Sequence, residues 1–253
     1  MNACDFSNGL IGADACVGEN ACQHMPSASI GANSCLGENA CQTAAAAAIG
    51  ADACLGENAC IGAVATIGAG SCVGLFSGDS PCGESAGTIG AGACNGADPC
   101  RNLGTTASIG AISCVGPGTN CHCLAILVGT RSCLGEDACV GVMEGSIGAD
   151  SCTKKGACYR ATGGIAAGSC TGEGSCYKAG GVIGAGSCTG EGSCWGTKST
   201  FSSAAGSCTG KNSCKCSSMA FAAGACLTED SCSEECDSII QEDTPAEAAS
   251  FCP

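Results

Sequence analysis

The chain has 253 residues, of which 42 are glycine, 29 cysteine and few aromatic (5 Phe, 2 Tyr, 1 Trp), a balance foreign to an ordinary globular core. Nine basic against 23 acidic residues give a formal charge of −14, which repels nucleic acid and anionic lipid and excludes both as expected partners. Two histidines, His24 and His122, leave little for acid–base catalysis or a histidine metal site, so neither an enzyme nor a cofactor is expected.

Residues 1–10, with Cys4, precede the first repeat and are expected to form an N-terminal cap; they hold no basic stretch followed by an apolar run, so no secretory leader is read there. From 11 to 236 one phrase, I-G-A-x-[SA]-C-x-G-x-x-[SA]-C, returns twelve times. Its first cysteines are Cys16, Cys35, Cys54, Cys72, Cys94, Cys114, Cys133, Cys152, Cys170, Cys188, Cys208 and Cys226, a mean period of about 19 residues. Five positions earlier stand Ile11, Ile30, Ile49, Ile67, Ile89, Ile109, Val128, Ile147, Ile165, Ile183, Ser203 and Phe221, an apolar ladder broken only by the serine. The second cysteines are Cys22, Cys41, Cys60, Cys100, Cys139, Cys158, Cys176, Cys194, Cys214 and Cys232, six residues on. Two copies differ: an insertion with Phe76 and Pro81 delays the second cysteine to Cys82, and after Cys114 it comes at Cys121. Glycine stands two residues after the first cysteine in all copies but those of Lys154 and Thr228, which marks a corner needing positive φ or close backbone approach.

Such a period is too short for helix-pair repeats, and the Gly-rich, β-branched phrase is a poor helix former. It predicts an all-β fold, a single parallel β-solenoid of about twelve 18–20-residue coils stacked at about 4.8 Å, with handedness open. One Ile, a few Ala and the sulfurs per coil make a thin core that needs covalent support. C-x2-C is absent and C-x-C occurs only at Cys121/Cys123 and Cys214/Cys216, so disulfides are favoured over a tetrahedral thiolate site. Disulfides in turn imply an oxidising location, extracellular or at the cell surface. The cysteine count is odd, so at least one is unpaired or bonds another chain. Cys121-His122-Cys123 could offer a soft metal two sulfurs and a nitrogen, but an irregular coil with a spare cysteine is the preferred account. The carboxylates at Asp14/Glu19, Asp52/Glu57 and Glu136/Asp137 are read as a solvated acidic face rather than a Ca²⁺ site. No window of 18 apolar residues occurs, so no membrane span is expected.

The run I-G-A-D-A-C-V-G-E-N-A-C (Ile11 to Cys22) resembles two tandem hexapeptides of the left-handed β-helix. That resemblance implies Ile11, Ala15 and Val17 facing inward and cysteines facing outward, bonded between rungs if at all. Its acyltransferase and carbonic anhydrase members imply histidines at a subunit groove, which His24 and His122, about five rungs apart, cannot build within one chain. S-C-T-G-E-G-S-C, at Ser169 to Cys176 and Ser187 to Cys194, is similar instead to the coil of beetle antifreeze solenoids. This second resemblance implies cysteines bridged across the inside of one coil. Large or polar residues follow the second cysteine (Gln23, Gln42, Arg101, Tyr159, Tyr177, Trp195, Lys215), as suits an outward position beside an inward cysteine, and the inward arrangement is favoured. The phrase as a whole also resembles Cys-rich repeats of algal and protist surface proteins.

The last segment, 237–253, is expected to be an acidic C-terminal cap or tail: carboxylates recur from Glu229 to Glu247, Pro245 and Pro253 interrupt strands, Ala246 to Phe251 suits a short helix, and Cys236 and Cys252 suit a staple. The expected function is that of a non-catalytic structural or surface protein, a rigid stapled rod that self-associates or joins other matrix proteins, open ends allowing a fibre. The alternatives are ice binding and a thiolate metal store. Ice as partner would use the column Thr153, Thr171, Thr189 and Thr209, which earlier copies fill with Val17, Leu36, Leu55, Val73, Asn95, Val115 and Leu134.

Overall fold

A computed structural model describes residues 10–25, 29–45, 48–74, 80–97, 99–101, 103–116, 121, 127–142 and 144–234. The expected cap with Cys4, the insertion's Phe76, the His122–Cys123 pair, and the acidic tail with Cys236, Cys252 and its helix lie outside these residues.

The fold is an all-β parallel solenoid, without a helix among the described residues. It divides into two compact units, Met1–Ala125 and Ile126–Pro253. In the first unit β1 (Ser29–Ile30), β2 (Ala48–Ile49), β3 (Val64–Ile67), β4 (Ala86–Ile89) and β5 (Ser108–Ile109) pair in sequence order, all parallel. The register sets Ile30, Ile49, Ile67, Ile89 and Ile109 one above another, and a second column joins Val17, Leu36, Leu55 and Val73 by single bridges. In the second unit β6 (Leu127–Val128) pairs with β7 (Ser146–Ile147), while β8 (Val182–Ile183), β9 (Ser202–Ser203) and β10 (Ala220–Phe221) form a parallel trio. Ile165 bridges Ile147 and Ile183 between them. Ten copies thus form a strand among the described residues and two, at Ile11 and Ile165, only isolated bridges, so regular stacking falls slightly short of the twelve equal coils expected.

Alternation within each short strand sorts its side chains: the ladder residues from Ile30 to Ile183 are 4% exposed or less, while their neighbours Ser29, Thr66, Thr88 and Val182 face out. The ladder weakens at its ends, where Ile11 is 39% exposed and Phe221 half-buried, because an end rung lacks a coil on one side. Ser203, the polar exception, is buried and accepts a hydrogen bond from the Gly184 amide at 3.0 Å, which satisfies it in the apolar column.

Corners repeat a left-handed backbone. The residue two before each first cysteine has positive φ in every copy, and ten of the twelve are Asp, Asn or Gly, the types that enter this region most readily. Asp14, Asn33, Asp52 and Asp150 are therefore turn residues. All twelve first cysteines share the conformation, at φ 54–59°. The glycine column from Gly18 to Gly210 answers to both positive φ and close approach: Gly18, Gly37, Gly56, Gly96 and Gly116 hold φ of 125–147°, while a Cβ on Gly37 would lie 2.3 Å from the Gly56 carbonyl oxygen of the next coil and one on Gly190 would lie 2.3 Å from the Gly210 carbonyl oxygen.

Candidate functional site

Twelve disulfides, from Cys16–Cys22 to Cys226–Cys232, join the two cysteines of one coil. From Cys16 to Cys214 each of these cysteines is 4% exposed or less, whereas Cys226 and Cys232 sit in a less covered coil. The hexapeptide orientation is thereby corrected. Cysteines point inward and bond within a coil, and Val17 points outward, 59% exposed, because the left-handed residue at Cys16 reverses the side-chain alternation between them. The delayed copies keep the same bond, as Cys72–Cys82 and Cys114–Cys121. Cys216 is disulfide-bonded as well.

Stacking of coils sets successive disulfides on top of one another. The sulfurs of Cys41, Cys54 and Cys60 lie within 4.8 Å of each other, as do those of Cys208, Cys214 and Cys226. Such groups have the spacing of a metal cluster, yet every sulfur in them is already bonded to sulfur, and a soft cation needs the thiolate.

The small residue before each first cysteine has its own task. Ser34 is fully buried; its hydroxyl donates to the Gly50 carbonyl at 2.6 Å and accepts from the Ala53 amide at 3.3 Å. Ser132 repeats this with Gly148 and Ser151, Ser151 with Ala166 and Ser169, and Ser187 with Ala204 and Ser207. These hydroxyls tie neighbouring coils at a site too narrow for larger side chains. Outside, Asn20 donates to Asn39 at 3.2 Å, Asn39 to Asn58 at 3.1 Å, and Gln42 to Gln23 at 3.1 Å, so identical amides pair along their columns.

In the second unit the position after the second cysteine carries an aromatic ladder. Tyr159 and Tyr177 stack at 4.9 Å and 6° between planes, and Tyr177 and Trp195 at 5.9 Å and 8°. A cation lies over each ring: the Arg160 guanidinium at 5.4 Å from Tyr159, Lys178 Nζ at 5.8 Å from Tyr177, and Lys215 Nζ at 4.9 Å from Trp195. Replacing the middle ring by Tyr177→Ala is expected to cost about 2 kcal/mol, the loss of two stacked pairs, and to red-shift the emission of Trp195. Thermal denaturation and fluorescence check this, with Tyr177→Phe expected to keep both properties.

Charges across coils are also paired here. Arg131 grips Asp150 at 2.7 and 2.8 Å, and its hydrogen bond holds the Asp150 carboxyl below the ordinary value. Lys155 meets Glu136 at 3.1 Å, a hydrogen bond that raises the lysine's pKa, and Lys211 meets Glu191 at 3.4 Å. Thr153, Thr171, Thr189 and Thr209 do share one column position, but each is half-buried. His24 is exposed.

One feature was open to sequence reasoning and missed by the overall charge. Residues 152–218 hold seven cations (Lys154, Lys155, Arg160, Lys178, Lys198, Lys211, Lys215) against Glu173 and Glu191, while the first hundred residues hold no Lys or Arg at all. A positional count of charge reveals it, where the net −14 conceals it.

Among curated proteins and among solved structures nothing matches this chain. A family model matches twice, over residues 1–99 and 96–204, two blocks offset by about five repeats. The chain therefore belongs to the family described as Domain of unknown function (DUF7640), and its tandem stapled coils are what the two matched blocks have in common.

Proposed function

We propose that the protein is a non-catalytic structural or surface protein, a solenoid stiffened coil by coil by disulfides in an oxidising, extracellular or cell-surface setting. The observation that carries this reading is the unbroken series of buried within-coil disulfides. So many bonds persist only where thiols are not kept reduced. Among the described residues no helix is long and apolar enough to cross a membrane. Its partners in this reading are further copies of itself or other matrix proteins. The cysteines serve by linking, since a bonded sulfur is neither nucleophile nor ligand.

Mass measurement of the native chain after alkylation tests the proposal. The twenty-four cysteines of the twelve bonds are expected to stay unmodified, with every bond mapping inside one repeat, and the chain to withstand prolonged proteolysis. Alkylation of most cysteines in the native chain would overturn it in favour of a thiolate metal store. Shaping of ice crystals by the intact chain, lost in a Thr171→Asn/Thr189→Asn variant, would overturn it in favour of ice binding.

A further inference from the structure

We infer that Tyr159 and Tyr177 are a modification site, at which a one-electron oxidant joins the two phenol rings in a dityrosine bond between neighbouring coils. The inference rests on the oxidising setting proposed above and adds a second kind of staple to it.

The chain has only two tyrosines and one tryptophan in 253 residues, and all three rings stand in one stack. Each follows a second cysteine, Cys158, Cys176 or Cys194, and coil stacking sets one above another. Backbone hydrogen bonds fix that register on the tyrosines themselves. The Lys178 amide donates to the Tyr159 carbonyl at 2.7 Å, and the Gly196 amide to the Tyr177 carbonyl at 2.8 Å. The two phenol rings are thereby held with centroids 4.9 Å apart and planes 6° from parallel. Phenoxyl radicals couple through such a face-to-face approach, because the carbons ortho to each oxygen carry much of the unpaired spin.

Once thiols are tied up in disulfides, phenol and indole are the side chains that most readily give up one electron. Tyr159 is only 4% exposed, whereas Tyr177 and Trp195 are half-buried. An oxidant therefore meets the stack at Tyr177 or Trp195, and the electron of Tyr159 reaches it across ring contacts of 4.9 and 5.9 Å. The cations beside the tyrosines, Arg160 at 5.4 Å and Lys178 at 5.8 Å, disfavour a positively charged ring. Each oxidised tyrosine thus sheds its hydroxyl proton and remains as the neutral radical that couples.

A haem peroxidase charged with hydrogen peroxide is the class of oxidant that suits the step. It takes one electron from each phenol, and each O–H proton goes to water. The two radicals pair their electrons in a C–C bond between ortho carbons. The hydrogen on each bonded carbon leaves as a proton while each oxygen takes one up, which restores two aromatic phenols. In sum two tyrosines lose two hydrogens, and one peroxide becomes two waters. The twelve disulfides close single coils, so none of them ties one coil to the next. A Tyr159–Tyr177 bond does so, between the coils of Cys152 and Cys170, against the direction in which a solenoid peels.

The experiment exposes the dilute, full, disulfide-bonded chain to a small light-activated ruthenium oxidant with persulfate and isolates the monomer. Expected in the monomer are blue dityrosine fluorescence and an intact mass short of two hydrogens. After reduction and tryptic digestion, residues 156–160 and 161–178, otherwise separate peptides, should be recovered joined. Tyr177→Phe, which keeps the stacked ring, and separately Tyr159→Phe should each abolish all three signals. Oxidation of exposed Met219 adds oxygen instead and leaves the peptides separate. A monomer without dityrosine, under light that couples a free tyrosyl peptide, would overturn the inference. So would dityrosine confined to covalent dimers, or fluorescence that persists in both variants. None of these results alters the disulfide map, on which the structural reading stands or falls separately.

Discussion

Complete reduction is expected to unfold the protein at room temperature, with loss of its β-type circular dichroism and of its resistance to protease, while the oxidised chain keeps both. Ten of the twelve disulfides join cysteines six residues apart, and Cys72–Cys82 and Cys114–Cys121 close slightly longer loops; each constrains the unfolded chain by about 2 kcal/mol. A typical domain is stable by only about 5–15 kcal/mol, so losing a few such bonds equals the whole margin. Little else fills the gap, because the ladder from Ile30 to Ile183 gives each coil one large buried aliphatic among alanines, serines and sulfurs, and the coils of Ile11, Ser203 and Phe221 bury less still at that position. Every first cysteine also holds a left-handed backbone that costs a residue with a Cβ about 1 kcal/mol or more. A graded version removes one bond by Cys170→Ser/Cys176→Ser and should lower stability by about 2–3 kcal/mol without unfolding the chain. Retention of native circular dichroism and protease resistance by the fully reduced chain would show that hydrogen bonding and packing suffice, and the stapling account would be wrong.

Gly37→Ala is expected to destabilise the chain by about 2–4 kcal/mol, a large effect for one methyl group. The added Cβ would meet the Gly56 carbonyl oxygen at 2.3 Å and its carbon at 2.5 Å, both backbone atoms fixed by the coil above. Relief requires parting the coils, which breaks hydrogen bonds such as Gly37 to Val17 and Gly56 to Leu36, each 2.8 Å. Gly174→Ala is the control: its φ of +59° is left-handed, but nothing lies within 4 Å of the new Cβ, so the cost is the conformational one, about 1 kcal/mol. Thermal denaturation of the oxidised variants compares them, and hydrogen exchange should show faster opening around Leu36 and Leu55 in Gly37→Ala alone. Gly37 also holds φ +142°, so Gly172→Ala, with the same approach (2.3 Å to the Gly190 carbonyl oxygen) and no positive φ, completes the comparison: a cost there no larger than at Gly174 would mean that backbone conformation, and not coil spacing, decides the glycine column.

The repeat made the class of fold legible, since a period near 19 with one isoleucine and one corner glycine fits a coil and little else. Ile30 to Ile183 face the core as that period requires. Orientation of the cysteines was less legible: strict alternation would carry Val17 inward, and only the left-handed residue at Cys16 turns it out. Nothing in the residue type announces that conformation, because cysteine rarely adopts it unaided. Asp14 and Asp52 announce it better, yet they are easily taken for charge alone. The aromatic ladder lay half in view. Tyr159, Tyr177 and Trp195 share a repeat position, but their stacking depends on coils 18 residues apart being in register, and the cations beside them count only once those rings are in place.

The Cys72–Cys82 coil carries four more residues between its cysteines than its neighbours, yet its Cα atoms stand 5.7 Å apart, as they do in Cys54–Cys60. Ladders on both sides stay in register, Leu55 with Val73 and Ile67 with Ile89. Length at this corner is thus uncoupled from stacking. A peptide of different length grafted between such a pair is therefore expected to leave the neighbouring ladders in register.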